Sequence, residues 1–188
     1  MADRFNLRIA ERRDGAAGRY EYATALFYYR DGFKNITRTL KYGRNFSGGR
    51  HFARELGEEL ASSALFSDVD LVAPVPLHWT RRLSRGYNQA ELIAKEVSGA
   101  LGAEFCPELL KRTRRTSSQA TLDPEMKYGN VRGAFSLRKT PPARTAHILL
   151  VDDVFTTGAT LTECYVALRD ILGDGPRISV ATLAFAEG

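Results

Sequence analysis

Cysteine is scarce in this sequence. Cys106 and Cys164 are its only two, they form no C-x-x-C pair, and both stand among apolar neighbours. That excludes a disulfide-stapled scaffold and leaves two core thiols as the reading. Long hydrophobic runs are missing as well: no stretch approaches the roughly 18 consecutive apolar residues of a membrane-spanning helix. The opening MADRFNLRIAERRDG carries charges where a secretory signal has its apolar centre, so the expectation is a cytoplasmic protein with no membrane partner. Internal repeats and low-complexity segments are absent too, which leaves an ordinary globular domain.

What is present is a chain of 188 residues, 44% hydrophobic and 26% charged, in the size range where one compact domain buries most of its apolar surface. The formal net charge of +5 is modest, but the basic residues concentrate in RRLSR at 81–85 and KRTRR at 111–115. A solvated face spreads its charge, whereas clusters of this kind suit a polyanionic ligand.

Residues 1–19 are polar and weakly periodic and are expected to form an N-terminal arm, mobile or a poorly packed first strand, with 20–188 as the single domain. Tyr20 opens an aromatic, β-prone stretch, and after Asp31 the residues Phe33, Ile36 and Leu40 share one helical face. NFSGG at 45–49 reads as a turn, followed by a helix with Phe52, Leu56 and Leu60 at intervals of four. Residues 71–75 read as a buried strand halted by Pro74 and Pro76. Ala90, Ile93, Val97, Ala100 and Leu101 then recur at helical spacing, with Asn88 as the cap. Short strands are expected around Phe105 and Leu109 and at 134–138, then an apolar strand at 147–151, a helix bearing Cys164, Leu168 and Ile171, and a last strand at 177–185. Strands alternating with helices, several of them continuously apolar, predict an α/β fold with a central, mainly parallel sheet flanked by helices. Between Lys111 and Arg132 the apolar pattern vanishes over a length that marks functional or disordered loops.

The segment VDDVFTTGAT at 151–160 carries the most chemistry. It follows an apolar strand, and in open α/β sheets ligands gather beyond the carboxyl ends of strands. Asp152 and Asp153 are placed there to accept hydrogen bonds from vicinal hydroxyls or to hold a metal. Thr156, Thr157, Gly158, Ala159 and Thr160 then open a helix, with small residues, hydroxyl donors and inward-turning amides that favour a phosphate. The bland alternative is an acidic turn in which Thr157 or Thr160 merely caps the helix. In a second constellation, Arg81, Arg82 and Arg85 follow the 71–75 strand. Arginine forks can donate twice to one phosphate, although three arginines beside a helix also suit plain solvation.

The string 148–160 resembles, over its full length, the phosphoribosyl pyrophosphate (PRPP) motif of type I phosphoribosyltransferases. That resemblance implies that Asp152 and Asp153 contact the ribose hydroxyls and act as the catalytic pair, stabilising positive charge on the ribose as pyrophosphate leaves. It implies that Thr156, Thr157, Gly158, Ala159 and Thr160 cradle the 5-phosphate, and that Mg2+ is the cofactor, held through PRPP with Asp152 and Asp153 as possible ligands.

The string P-V-P-L-H-x-x-R-R-L-x-R-G-Y-N-Q-A at 74–90 resembles the signature of the ComF family, phosphoribosyltransferase-like proteins named for genetic competence, and 40–57 and 113–135 are similar to further ComF strings. By that resemblance Pro76, Leu77 and His78 belong to a pyrophosphate loop with Arg81, Arg82 and Arg85 near the same anion. The resemblance also implies that residues 112–130, with Arg112, Arg114 and Arg115, correspond to the flexible loop that closes over PRPP, and that the fold is type I phosphoribosyltransferase-like with a small hood or flexible loop. ComF proteins commonly carry an N-terminal cysteine-rich zinc module, which the two cysteines here cannot form.

The implied function is phosphoribosyl transfer from PRPP to an acceptor that no residue pattern identifies. The competing readings are a non-catalytic PRPP or nucleotide sensor, and a DNA-uptake factor binding single-stranded DNA through the basic segments, with Trp79 and Tyr87 stacking on bases. The candidate partners are PRPP, the acceptor, single-stranded DNA or the competence machinery, and a second copy of the chain.

Overall fold

The structure, a computed structural model, describes residues 1–13, 19–28, 46–77, 86–113 and 132–186. The helix expected after Asp31 lies outside them. In chain order the elements are α1 (Ala2–Arg12), β1 (Ala23–Tyr28), α2 (Phe46–Ser62), β2 (Leu71–Pro74), α3 (Gln89–Leu101), β3 (Glu104–Phe105), β4 (Leu110–Arg112), β5 (Phe135–Leu137), β6 (His147–Phe155), α4 (Ala159–Leu172) and β7 (Arg177–Phe185).

Five strands form one sheet in the order β1-β7-β6-β2-β3, and every pairing in it is parallel. The apolar run of β6 explains why it sits in the middle. Ile148 and Leu150 point into the core beneath α1 and α4, while Leu149 and Val151 point into the core beneath α2 and α3. All four are fully buried, as a strand covered on both faces requires. The expected α/β architecture is therefore the one observed. A separate antiparallel pair, β4 with β5, forms a small second sheet.

Chain order creates a switch point. From β2 the chain crosses through α3 to β3 on one side, and from β6 it crosses through α4 to β7 on the other. The helices of these two crossovers cover opposite faces of the sheet. The carboxyl ends of β2 and β6 thus border a crevice of the kind where ligands bind in such sheets.

Three sequence expectations need correction. Residues 2–12 form a helix rather than an arm or strand. Phe5 is fully buried, with its ring edge-on to Phe155 at 6.4 Å and to Tyr165 at 5.9 Å. Only Phe5 and Ile9 of α1 are buried, one helical turn apart, which is why the apolar period is faint in the sequence. The glycines at 48–49 lie inside α2 rather than in a turn. Helix packing overrides their propensity, and at Gly57 a side chain would meet the Ala100 Cβ at 2.8 Å, so α2 and α3 approach closely. Finally, β6 runs on to Phe155, and Asp152 pairs with Thr182 of β7. The acidic pair is therefore held on a strand and not on a turn.

Candidate functional site

The end of β6 is fixed on several sides. Phe155 is buried, its carbonyl accepts from the Ala186 amide at 2.8 Å, and its ring underlies the following turn. That turn requires Gly158. Its φ is +82°, which L side chains rarely adopt, and a Cβ there would lie 2.6 Å from the Phe155 ring. Gly158 is the N-cap of α4, and its carbonyl receives the Thr162 amide at 2.9 Å. Neither Thr157 nor Thr160 is the N-cap, although the Thr157 hydroxyl accepts from the Ala159 amide at 3.4 Å. The first-turn amides of α4 face outward from the helix end without intrahelical acceptors.

Asp152 and Asp153 are half-buried, and Asp152 Oδ1 accepts the Asp153 amide at 2.8 Å, which fixes the first carboxylate against its own backbone. Behind them on α4, Cys164 is fully buried. Burial foremost, and then the Asp152 carboxylate, push its thiol well above the ordinary range, so it stays protonated and serves as packing.

A cavity of about 290 Å³ opens at this point. It is lined by Asp152, Asp153, Val154, Thr156 and Thr160 from β6 and the start of α4, by Val75, Pro76 and Leu77 after β2, by Asn88, Gln89 and Ala90 at the start of α3, and by Arg112. Two helix N-termini, each a positive dipole end, thus share one chamber with two carboxylates. Such a chamber is suited to a ligand with anionic groups at its ends and hydroxyls or a cation between. A larger depression of about 580 Å³ between α2 and α3 has no comparable chemistry; Arg54 and Glu96 on its wall form a surface pair at 3.8 Å. We assign the site to the acid-lined cavity because its polar groups converge there, not because of its size.

The structure therefore brings together Asp152, Asp153, Thr156, Thr160, Pro76, Leu77 and Arg112 in one cavity. Thr157, Gly158 and Ala159 complete the turn and helix entry beside it. His78, Arg81, Arg82, Arg85, Arg114 and Arg115 lie outside the described residues, as do Trp79 and most of the expected flexible loop. Arg112 corrects the start of that loop. It is the last residue of β4, paired with Phe135 of β5, and its guanidinium lies 5.2 Å from the centre of the Phe135 ring. Sequence reading missed Asn88 and Gln89 as wall residues, taking Asn88 only as a cap. Their one visible signal was their place in the GYNQA string directly after the arginine segment.

For a metal, the described residues hold no group of three or more His, Cys, Asp or Glu side chains. The oxygen pair of Asp152 and Asp153 suits a hard cation that takes few protein ligands and keeps substrate and water oxygens, which is the habit of Mg2+. Among the described residues no helix is long and apolar enough to cross a membrane.

No protein-family model matches the chain. Among curated proteins it is 38% identical to Competence protein F of Haemophilus influenzae over 106 residues, covering 54% of this chain and 45% of that protein. It is 36% identical to the DNA utilization protein YhgH of Escherichia coli K12 over 94 residues, or 50% and 40% of the two chains. It is 31% identical to Competence protein ComFC of Streptococcus pneumoniae over 150 residues, or 78% and 61%. The chain spans about half the length of the curated relatives it matches. Among solved structures, adenine phosphoribosyl transferase from Trypanosoma brucei aligns with a TM-score of 0.44 at 12% identity, over 81% of this chain and 68% of that one, a likeness too loose to bear on the site. The ComF resemblance is borne out by the curated relatives: the chain is a homologue of proteins named Competence protein F, ComFC and YhgH.

Proposed function

We propose that the chain binds PRPP with Mg2+ in the acid-lined cavity and transfers its phosphoribosyl group to an acceptor. The observation that carries this reading is the convergence on one cavity of the Asp152–Asp153 pair, the Thr156–Gly158 turn and the starts of α3 and α4. In the proposed complex the 5-phosphate lies on the start of α4, the ribose hydroxyls donate to the two carboxylates, and the pyrophosphate points toward Pro76 and Leu77. The acceptor attacks the anomeric carbon, the bond from that carbon to the pyrophosphate oxygen breaks, and pyrophosphate leaves with the electron pair. The acceptor gives up its proton to water or to the departing group. Asp152 and Asp153 stabilise the positive charge that develops on the ribose, and no protein nucleophile is needed. Bound Mg2+ supplies charge neutralisation on the pyrophosphate oxygens. The chamber, about 290 Å³, has room for a compact phosphorylated sugar, consistent with an acceptor surface built by further residues.

The test is release of pyrophosphate from PRPP and Mg2+ in the presence of a panel of bases and amines. Release well above that of the Asp153→Asn variant supports transfer; equal release in both excludes it, and saturable binding without release leaves a PRPP sensor.

The names of the relatives favour a role in DNA utilization or competence. We place that role downstream of the PRPP site. Arg112, the described member of the basic clusters that lines a cavity, lines the same one as Asp152 and Asp153. Single-stranded DNA binding that falls steeply with salt and is untouched by PRPP would assign the clusters to DNA instead.

A further inference from the structure

Asn88 is the N-cap residue of α3, as its place in the sequence predicts, but its side chain does not cap. Instead its Nδ2 donates to the Val75 carbonyl at 3.0 Å, joining residues 13 apart in sequence. Val75 in turn donates its amide to the Val151 carbonyl at 2.8 Å, one residue before Asp152. Two consecutive hydrogen bonds thus tie the start of α3 to the end of β2 and the end of β2 to the acid-bearing end of β6. Asn88 is only 9% exposed, so the tie is shielded from water, which would otherwise compete for both groups.

The residues this tie holds are those that matter. Pro76 and Leu77 directly follow Val75 and line the same cavity as Asp152 and Asp153. On the other side, Gly86 turns the chain into α3 with φ at +80°. Asn88 also lines a second depression, shared with Tyr87 and Lys95. A residue needed only to start a helix would turn its oxygen onto the first-turn amides. Here the amide nitrogen is spent on the end of β2.

We propose that Asn88 is the positioning residue for the pyrophosphate end of the ligand. It acts through Val75, setting Pro76 and Leu77 at a fixed distance from the carboxylate pair, and leaves the 5-phosphate end on α4 untouched. This assignment rests on the PRPP reading above.

The experiment is calorimetric titration of the full chain, wild type, Asn88→Asp and Asn88→Ala, with three ligands: PRPP and Mg2+, inorganic pyrophosphate and Mg2+, and ribose 5-phosphate. Aspartate keeps the size and a capping oxygen but cannot donate, and alanine removes the donor without adding charge near the pyrophosphate. Loss of one buried hydrogen bond predicts roughly tenfold weaker binding of PRPP and pyrophosphate in both variants, with ribose 5-phosphate changed by less than about twofold. A parallel loss for all three ligands would make Asn88 a general structural residue and overturn the assignment, and so would unchanged binding of all three. If wild type binds ribose 5-phosphate but not PRPP or pyrophosphate, the PRPP reading itself fails and the assignment falls with it.

Discussion

The two ends of β6 carry similar side chains and opposite outcomes. At its amino end His147 is 1% exposed; its Nδ1 meets Asp68 Oδ1 at 2.7 Å and its Nε2 meets Ser179 Oγ at 2.8 Å. An acid, a histidine and a serine in hydrogen-bonded series have the composition of a hydrolytic triad. Yet Ser179 is fully buried and neither it nor His147 lines any of the cavities described above, so no substrate reaches that hydroxyl. Asp70 completes this end by accepting the Ala146 and His147 amides at 2.7 and 3.0 Å. At the carboxyl end, Asp152 and Asp153 face a cavity bordered by two helix starts. At the amino end His147 and Ser179 are buried inside the fold and only Asp68 reaches the surface, while at the carboxyl end the acidic pair lines a cavity. Residue type does not distinguish the two ends; the position of the switch point does, because only at the carboxyl edge do the neighbouring crossovers diverge and leave a crevice.

That contrast can be broken from either side. The largest effect is expected at the carboxyl end: Asp152→Asn should lower the rate of pyrophosphate release by about 100-fold or more, the scale of losing a preorganised electrostatic group, with an unchanged melting temperature. Gly158→Ala should come next. It places a side chain at φ +82° and against the Phe155 ring, and should destabilise the fold by about 2–3 kcal/mol in denaturant titration while weakening ribose 5-phosphate binding. His147→Gln at the amino end should cost about 1–2 kcal/mol through its buried hydrogen bond to Ser179 and its part-buried one to Asp68, and leave PRPP affinity as in wild type. A change in PRPP affinity there would join the two ends and undo the contrast.

The smallest effect is a pH dependence. Burial pulls the His147 imidazole below its ordinary value of about 6.5, outweighing the upward pull of the Asp68 carboxylate. Because the folded-state pKa is the lower one, this group's contribution is fully present above that ordinary value and is lost as pH falls through the folded value. Asp68 is also lowered, chiefly by its hydrogen bond to His147, so its contribution is lost in acid too, below the carboxylate range. Unfolding free energy measured from pH 8 down should therefore fall below about pH 6.5, and His147→Gln should flatten that part of the curve.

Much of the carboxyl end was legible in the sequence, for physical reasons. The 147–151 run is continuously apolar because both faces of β6 are covered, and the TTGAT turn is compositionally tight because Gly158 has no room for a side chain. The amino end was not legible. Asp68, His147 and Ser179 come from three separate segments, and only the pairing of β6 with β7 and the turn after α2 bring them together. The same holds for α1, whose apolar face consists of Phe5 and Ile9, and for Asn88, whose partner Val75 lies across the loop. A buried ion pair shows the pattern again: Arg169 of α4 donates to Glu21 and to the Tyr165 hydroxyl, with Arg169 and Glu21 nearly or fully out of contact with solvent. Nothing in the local sequence around Glu21 marks it as a core residue; its charge is tolerated because its carboxylate also accepts the Ile178 amide at 3.3 Å.

The central claim, that the cavity at the carboxyl end of β6 is a PRPP site, is tested most directly by a crystal structure of the full chain soaked with PRPP and Mg2+. The expected result is density for the 5-phosphate against the amides at the start of α4, the ribose hydroxyls on Asp152 and Asp153, and pyrophosphate beside Pro76 and Leu77. PRPP bound elsewhere, or an empty cavity at saturating ligand in a well-ordered crystal, would contradict it.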